Sequence, residues 1–270
     1  MSLPNKTQLL PDRPGIPPMA VLPEAETIDT AALVKAYADG DIDLICVLGP
    51  TASGKTRYAV QLARALGNAE ILSADSRQVY CGMDIGTGKD LGEYGNVPYH
   101  LIDIVPAGTK YNIYEYQAAF AKAWADVRSR GRIPILCGGS GLYIEAATRA
   151  YKFDKENGIP ASELPQKVFY IGTLVTREER VTRIDRRLDE RLEEGLVEEI
   201  RGLLDSGIPA ENLLWYGLEY KFVTQYVLGE LTFEEMRILL ANAIHQFAKR
   251  QMTWFRGMER DGIRIHWVQV

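Results

Sequence analysis

The chain has 270 residues, 46% of them apolar and 25% charged, with a net charge of −5 and a pI near 5.4. Such a composition builds one sizeable globular core, and its acidic balance excludes nucleic-acid binding through a general basic excess, though not through a local basic groove. No apolar run reaches membrane length and the N-terminus lacks the charged-then-apolar layout of a secretory signal, so a cytoplasmic protein with no membrane attachment is expected. Three cysteines, Cys46, Cys81 and Cys137, are scattered without metal-ligand spacing and fit a reducing compartment.

Residues 1–40 read as an N-terminal extension. Pro4, Pro11, Pro14, Pro17, Pro18 and Pro23 make its first 28 residues an irregular or extended arm. Asp29 or Thr30 then caps a short helix over 31–38 that Gly40 ends. Residues 41–151 read as an α/β core. Ile42, Leu44, Ile45, Val47 and Leu48 form an apolar, β-rich run, and Tyr58, Ala59, Leu62, Ala63 and Leu66 follow at helical spacing. A second strand over 69–74 leads to Asp75-Ser76-Arg77-Gln78-Val79-Tyr80, and a polar loop, Met83-Asp84-Ile85-Gly86-Thr87-Gly88-Lys89-Asp90, comes next. A third strand over 98–104, a helix over 113–130, and a fourth strand over 133–137 follow. Gly138-Gly139-Ser140-Gly141 then opens another helix near Leu142 and Tyr143. Tyr116, Ala119, Phe120, Ala123, Trp124 and Val127 share one face of the 113–130 helix. The alternation predicts a parallel sheet flanked by helices.

A polar linker over 152–166 carries Gly158, Pro160 and Pro165. Residues 167–270 are read as the last strand (168–175) and a mostly helical part of the same domain. A long helix is expected over 177–205, with Val181, Ile184, Leu188, Leu192, Ile200 and Leu203 as its apolar stripe. Beside that stripe runs a second one of Arg180, Arg183, Arg187 and Arg191. Arg191 reads as part of a solvated face paired with neighbouring acids. For Arg183 and Arg187 the spacing leaves both a solvated face and a phosphate ligand open. A segment around 216–228 and a final helix over 234–256 complete the chain.

The chemistry centres on Gly49-Pro50-Thr51-Ala52-Ser53-Gly54-Lys55-Thr56, which fits G-x-x-x-x-G-K-[ST] between a buried strand and a helix start, the context of a P-loop NTPase-like fold. Two glycines let backbone N–H groups turn towards an anion, the helix N-terminus adds its dipole, Lys55 adds a full charge, and the Thr56 hydroxyl can hold Mg²⁺. Asp75 ends a neighbouring strand, so it belongs beside this loop, where ligands of open parallel sheets bind. Asp103 stands at another strand end, as an outer Mg²⁺ ligand or as a turn residue. His100 and His245 read as structural or surface residues, and Trp254 and Phe255 as core.

These stretches occur in an order that resembles the tRNA dimethylallyltransferase (tRNA isopentenyltransferase) family. They are the loop at 49–56, then Asp75 to Tyr80, the 83–89 loop, His100-Leu101-Ile102-Asp103 and Gly138-Gly139-Ser140-Gly141-Leu142-Tyr143. Arg183-Ile184 with Arg187, Gly195-Leu196, and Ala248-Lys249-Arg250-Gln251-Met252-Thr253-Trp254 complete the set. The resemblance covers residue 43 to the end. It implies transfer of a dimethylallyl group from dimethylallyl diphosphate, with Mg²⁺, to N6 of the adenosine on the 3′ side of the anticodon in a tRNA anticodon loop, releasing pyrophosphate. By the resemblance, residues 49–56 and Arg187 hold the diphosphate, and Thr51 and Arg183 assist the departing group. Asp75 accepts the N6 proton, and Asp75, Ser76, Arg77, Gln78 and Ser140 border the acceptor; a monomer is expected. The chain departs from the family in several places. Ser140 replaces a common threonine, and the linker at 152–166 stands where family members carry a helical insertion that clasps the anticodon stem. Tyr216-Gly217-Leu218-Glu219 and Ile244-His245 replace a common Gly-Tyr and a common Thr-Arg pair. The missing clasp keeps other acceptors and roles open: a free adenine nucleotide as acceptor, a catalytically inactive diphosphate-binding protein, or a kinase using the same loop.

Overall fold

The computed structural model describes residues 23–149 and 159–270, so most of the proline-rich arm and the first part of the linker lie outside the described residues. In chain order the elements begin with α1 (Thr30–Ala38), β1 (Leu44–Leu48), α2 (Lys55–Leu66), β2 (Ala69–Ser73), β3 (Tyr80–Cys81), β4 (Tyr99–His100), β5 (Val105–Pro106) and α3 (Ile113–Ser129). They continue with β6 (Ile133–Gly138), α4 (Gly141–Thr148), β7 (Val168–Leu174), α5 (Arg177–Glu194), α6 (Leu196–Asp205), α7 (Ala210–Leu213), α8 (Leu218–Val227), α9 (Phe233–Arg260) and β8 (Ile265–Gln269). The main sheet has six strands in the order β4-β2-β6-β1-β7-β8, and every pairing in it is parallel.

β1 is apolar throughout because both faces of the sheet are covered. Leu44, Cys46 and Leu48 point to one face, where Tyr116, Phe120 and Trp124 of α3, Ile144 of α4, and Met252, Phe255 and Met258 of α9 bury them. Ile45 and Val47 point to the other, under Ala59, Val60, Leu62 and Ala63 of α2 and Leu33 of α1. A third cluster joins α5, α6, α8 and the first half of α9 to Val79, Tyr80 and Met83, which follow β2. That cluster places a helical wall beside the C-terminal ends of the strands.

Local chemistry sets the boundaries. Asp29 caps α1 by accepting from the amides of Ala31 and Ala32. Asn112, Thr176 and Thr232 form capping boxes with Glu115, Glu179 and Glu235 at the starts of α3, α5 and α9. The residues from Pro23 onwards form a strap, tied to edge strand β8 by the Glu26 amide on the Trp267 carbonyl (2.7 Å) and the Glu26 carboxylate on His266 Nδ1 (2.7 Å).

Four expectations from the sequence are corrected. Only Tyr99 and His100 of the 98–104 run join the sheet, because Leu101 and Asp103 turn into left-handed backbone (φ 65° and 56°) and the chain leaves to pair Val105 with Tyr80. The expected 177–205 helix is two helices, broken at Gly195 (φ 105°). The last helix begins at Phe233 and ends at Arg260, beyond the expected 234–256 span. Finally, 168–175 is not the last strand: Ile265–Gln269 adds a parallel edge, which a five-residue run with a histidine and a glutamine did not announce.

At the opposite end of the sheet from the phosphate loop, Glu70 on β2 is buried. It accepts from both terminal nitrogens of Arg130 (2.5 and 2.8 Å) and from His100 Nε2 (2.7 Å). The Arg130 guanidinium, with help from His100, holds the Glu70 carboxyl down at about 2. A carboxyl depressed in the folded state stabilises above its ordinary value near 4.5 and stops doing so as pH falls towards 2. Glu70→Gln should therefore lower stability at pH 7 and flatten the loss of stability between pH 4.5 and 2, read by urea denaturation across that range.

Candidate active site

Three adjacent strands, β2, β6 and β1, end side by side, and each hands its chain to one part of the site. From β1 comes the phosphate loop. Its turn needs left-handed backbone at Ala52 (φ 58°) and Gly54 (φ 82°). Gly49 admits no side chain, since a Cβ there would lie 2.1 Å from Thr173 Oγ1. Ser53 is fully buried and its hydroxyl bonds Thr173 Oγ1 (2.7 Å), which anchors the loop to β7. Gln251 of α9 spans two parts of the site. Its Oε1 accepts from the Thr51 amide (2.8 Å), and its Nε2 donates to the Gly139 carbonyl at the β6–α4 turn (2.9 Å). The loop ends in Lys55 and Thr56, both half-buried at the start of α2. Lys55 Nζ lies 3.4 Å from the Pro50 carbonyl. Burial lowers its pKa and Arg187 adds repulsion, while Asp75 and Asp90 oppose both.

From β2 comes the Asp75 turn. Asp75 is half-buried; its Oδ1 accepts from the Arg77 amide (2.9 Å), and its Oδ2 has no hydrogen-bond partner among the described residues. Ser140, at the start of α4, ties this turn to the third strand end: its Oγ accepts from the Ser76 amide (3.1 Å) and lies 3.3 Å from Ser76 Oγ. Gln78 faces inward. Its amide is shared between Ser73 Oγ (2.9 Å) and the Gly88 carbonyl (3.0 Å), so it shapes the turn. Arg77 sits beside Gly217, where a Cβ would be 3.7 Å from Nε, and near a group of tyrosines. The Tyr80 and Tyr216 rings pack at a 53° tilt with centroids 4.5 Å apart, and the Tyr143 phenol, its pKa raised by burial, feels both Arg77 and Asp75. The Tyr111 hydroxyl is buried without a hydrogen-bond partner, and burial pushes its pKa up to about 12.

α5 brings the arginines. Arg183 stands beside the phosphate loop, with Nη1 3.9 Å from where a Gly54 Cβ would be, and donates to the Val270 carbonyl (3.3 Å). Arg187 is half-buried and donates to Asp90 Oδ2 (2.8 Å). Arg191 corrects the sequence reading: it is buried, not solvated, and binds the Ile85 carbonyl and the Asp90 carboxylate (3.4 Å). The cause is the 83–90 loop, which covers this face of α5.

Asp103 does not face the phosphate loop as a free ligand. It pairs with Lys89, whose side chain is 1% exposed, and Lys89 also binds Asp84 (2.5 Å) and the Tyr80 carbonyl (2.8 Å). His100 and His245 pair with Glu70 and Asp185, and Trp254 and Phe255 are core, as their sequence context indicates. Asp90, Glu219 and Gln251 are cleft residues that sequence reasoning missed. Burial raises the Glu219 carboxyl, Arg191 and Arg187 oppose the rise, and Asp75 adds to it. Gln251 lay within a quoted motif, but nothing in a helical run tells which side chain bridges two loops. Among the described residues no three His, Cys, Asp or Glu side chains gather to hold a metal. A Mg²⁺ here would rest on the Thr56 hydroxyl and on oxygens of a bound diphosphate, which suits an ion that keeps several of its waters.

Comparisons with known proteins agree with this geometry. The family model described as IPP transferase matches residues 78–166 and 149–258, and one described as isopentenyl transferase matches residues 42–94. tRNA dimethylallyltransferase 1 of Parabacteroides distasonis is 45% identical, over 84% of this chain and 92% of its own length. tRNA dimethylallyltransferase 2 of Porphyromonas gingivalis is 46% identical, over 83% and 93%. The Parabacteroides alignment runs over 283 positions while covering only 84% of this chain, so that relative carries a segment absent here. The crystal structure of a full-length tRNA isopentenylpyrophosphate transferase from Bacillus halodurans superimposes with a TM-score of 0.74 at 30% identity, covering 84% of this chain and 89% of its own. A eukaryotic dimethylallyltransferase acting on tRNA shares the fold, with a TM-score of 0.67 at 22% identity and coverage of 78% and 69%. The chain belongs to the IPP transferase family.

Proposed function

We propose that the chain transfers a dimethylallyl group from dimethylallyl diphosphate to N6 of the adenosine on the 3′ side of a tRNA anticodon. The observation that carries this reading is the meeting of the phosphate loop and the Asp75 turn at adjacent strand ends, tied together by Ser140 and Gln251. The loop amides, Lys55 and Arg183 take the diphosphate, and Mg²⁺ on Thr56 would add neutralising charge there. In the step itself the C1–O bond to the diphosphate breaks and its electron pair leaves with pyrophosphate. The N6–C1 bond forms, and the N6 proton passes to Asp75, whose Oδ1 is held by the Arg77 amide. Stabilising the departing charge is the largest demand, because an allylic cation forms readily once pyrophosphate can leave. The adenosine must leave its stack to reach the Asp75 carboxylate.

The protein is acidic, and its curated relatives carry a segment it lacks, so a smaller phosphate footprint is expected and with it a shallower salt dependence of tRNA binding. Asp75→Asn should slow single-turnover transfer about 10²- to 10⁴-fold while leaving pyrophosphate binding within about twofold of wild type. An Asp75→Asn variant with full activity would remove the proton acceptor from the account. Lys55→Ala should do the opposite at the binding step, weakening pyrophosphate about 10- to 100-fold by calorimetry with little change in tRNA affinity.

A further inference from the structure

The loop at 83–90 contains a filled anion site. Glu199 on α6 accepts the amides of Asp84 (2.8 Å) and Ile85 (2.7 Å) on Oε2 and of Gly86 (3.1 Å) on Oε1. The Tyr220 hydroxyl of α8 donates to Oε1 as well (2.6 Å). Three successive amides converging on one carboxylate is how a loop holds a bound anion, and here the protein supplies the anion. The fit is tight, since a Cβ on Gly86 would lie 2.6 Å from the Tyr220 ring. The helix break at Gly195 makes this possible by starting α6 in a new direction, with Glu199 in its first turns.

What the loop carries explains why the lock matters. Asp90 at its end holds both Arg187 and Arg191, and Arg191 also binds the Ile85 carbonyl next to the locked amide. The two guanidiniums lie over Gly88, where a Cβ would come within 2.2 Å of Arg191 Nη2 and 2.4 Å of Arg187 Nη2. The Gly88 amide in turn bonds the Asp84 carbonyl (3.0 Å), so the guanidiniums rest on a turn whose other side is Glu199.

We propose that Glu199 is a positioning residue for the diphosphate: it fixes the 84–86 turn, which fixes Gly88 and Asp90 beneath Arg187 and aims that guanidinium across the cleft at Lys55 and the phosphate loop. Glu199 touches no substrate and acts through Asp90 and Arg187. The inference rests on the proposed function, because it takes the diphosphate as the ligand that Arg187 meets.

The test measures pyrophosphate affinity by calorimetry, tRNA affinity by fluorescence anisotropy, and KM and kcat for transfer. It uses the full chain and its Glu199→Gln, Tyr220→Phe, Glu198→Gln and Asp90→Asn variants. Glutamine cannot accept three amide donors with both heads, so Glu199→Gln should weaken pyrophosphate and raise the donor KM about tenfold, with tRNA affinity held within about twofold. Tyr220→Phe should shift both in the same direction by about threefold. Glu198→Gln, a control whose side chain is 68% exposed and pairs with Arg201, should change neither. The double variant Asp90→Asn with Glu199→Gln should bind pyrophosphate no more weakly than the worse of the two single variants, because both act on one path. A purely structural role for Glu199 would instead lower the melting temperature without moving donor KM. Unchanged pyrophosphate affinity in Glu199→Gln, or additive losses in the double variant, would overturn the proposal. If Glu199→Gln does not fold, Tyr220→Phe decides by the same readout. A wild-type chain that binds no pyrophosphate contradicts the proposed function itself; a binding wild type with unmoved variants contradicts only the role of Glu199.

Discussion

The side-chain amide of Gln251 is the contact on which the arrangement of the site depends. It holds the Thr51 amide with one atom and the Gly139 carbonyl with the other, and so fixes the phosphate loop against the turn that carries Ser140. Ser140 then fixes Ser76 and with it the Asp75 turn. Loops at strand ends are ordinarily the mobile part of a parallel α/β fold. Here each is tied to the next by a buried or half-buried hydrogen bond, and the Ser53–Thr173 pair ties the first of them to β7. A reaction that must place an allylic carbon within bonding distance of a nitrogen needs that rigidity, because orientation supplies much of the barrier reduction.

The electrostatics are local. A chain with net charge −5 gathers Lys55, Arg183 and Arg187 around the phosphate loop, with Arg191 buried beneath the 83–90 loop. It keeps them in place with few acids: Asp90 holds two of the arginines, and Glu219 lies in their field. Asp75 lies within electrostatic reach of Lys55. Cations and a carboxylate divide the two tasks, the first neutralising a leaving anion and the second receiving a proton. Among the described residues no helix is long and apolar enough to cross a membrane.

Much of this was legible in the sequence because it rests on short-range chemistry. The phosphate loop follows from two glycines between an apolar run and a helical one. The parallel sheet around it follows from alternation of strands and helices. The position of Asp75 at a strand end needed no more. What stayed hidden depends on contacts between distant segments. Leu101 and Asp103 read as strand, yet both take left-handed backbone, and Asp103 is held by the distant Gln78 carbonyl and Lys89 side chain. Arg191 read as solvated because its spacing matched acids on its own helix, whereas the 83–90 loop buries it. Nothing in the sequence signals that the Gln78 amide also bonds Ser73 and Gly88 and so braces the turn. Gln251 and Glu199 gave no signal of their own, since a polar residue in an amphipathic helix looks the same whether it meets water or a loop.

The most direct test of the account gives purified wild-type protein dimethylallyl diphosphate and Mg²⁺, offers unmodified tRNA in one reaction and AMP or ATP in others, and reads digested products by mass spectrometry. The account predicts N6-dimethylallyl adenosine in tRNA, next to the anticodon, with pyrophosphate released in equal amount and no prenylated free nucleotide. Prenylated nucleotide without modified tRNA, or pyrophosphate binding with no product on any acceptor, would contradict it.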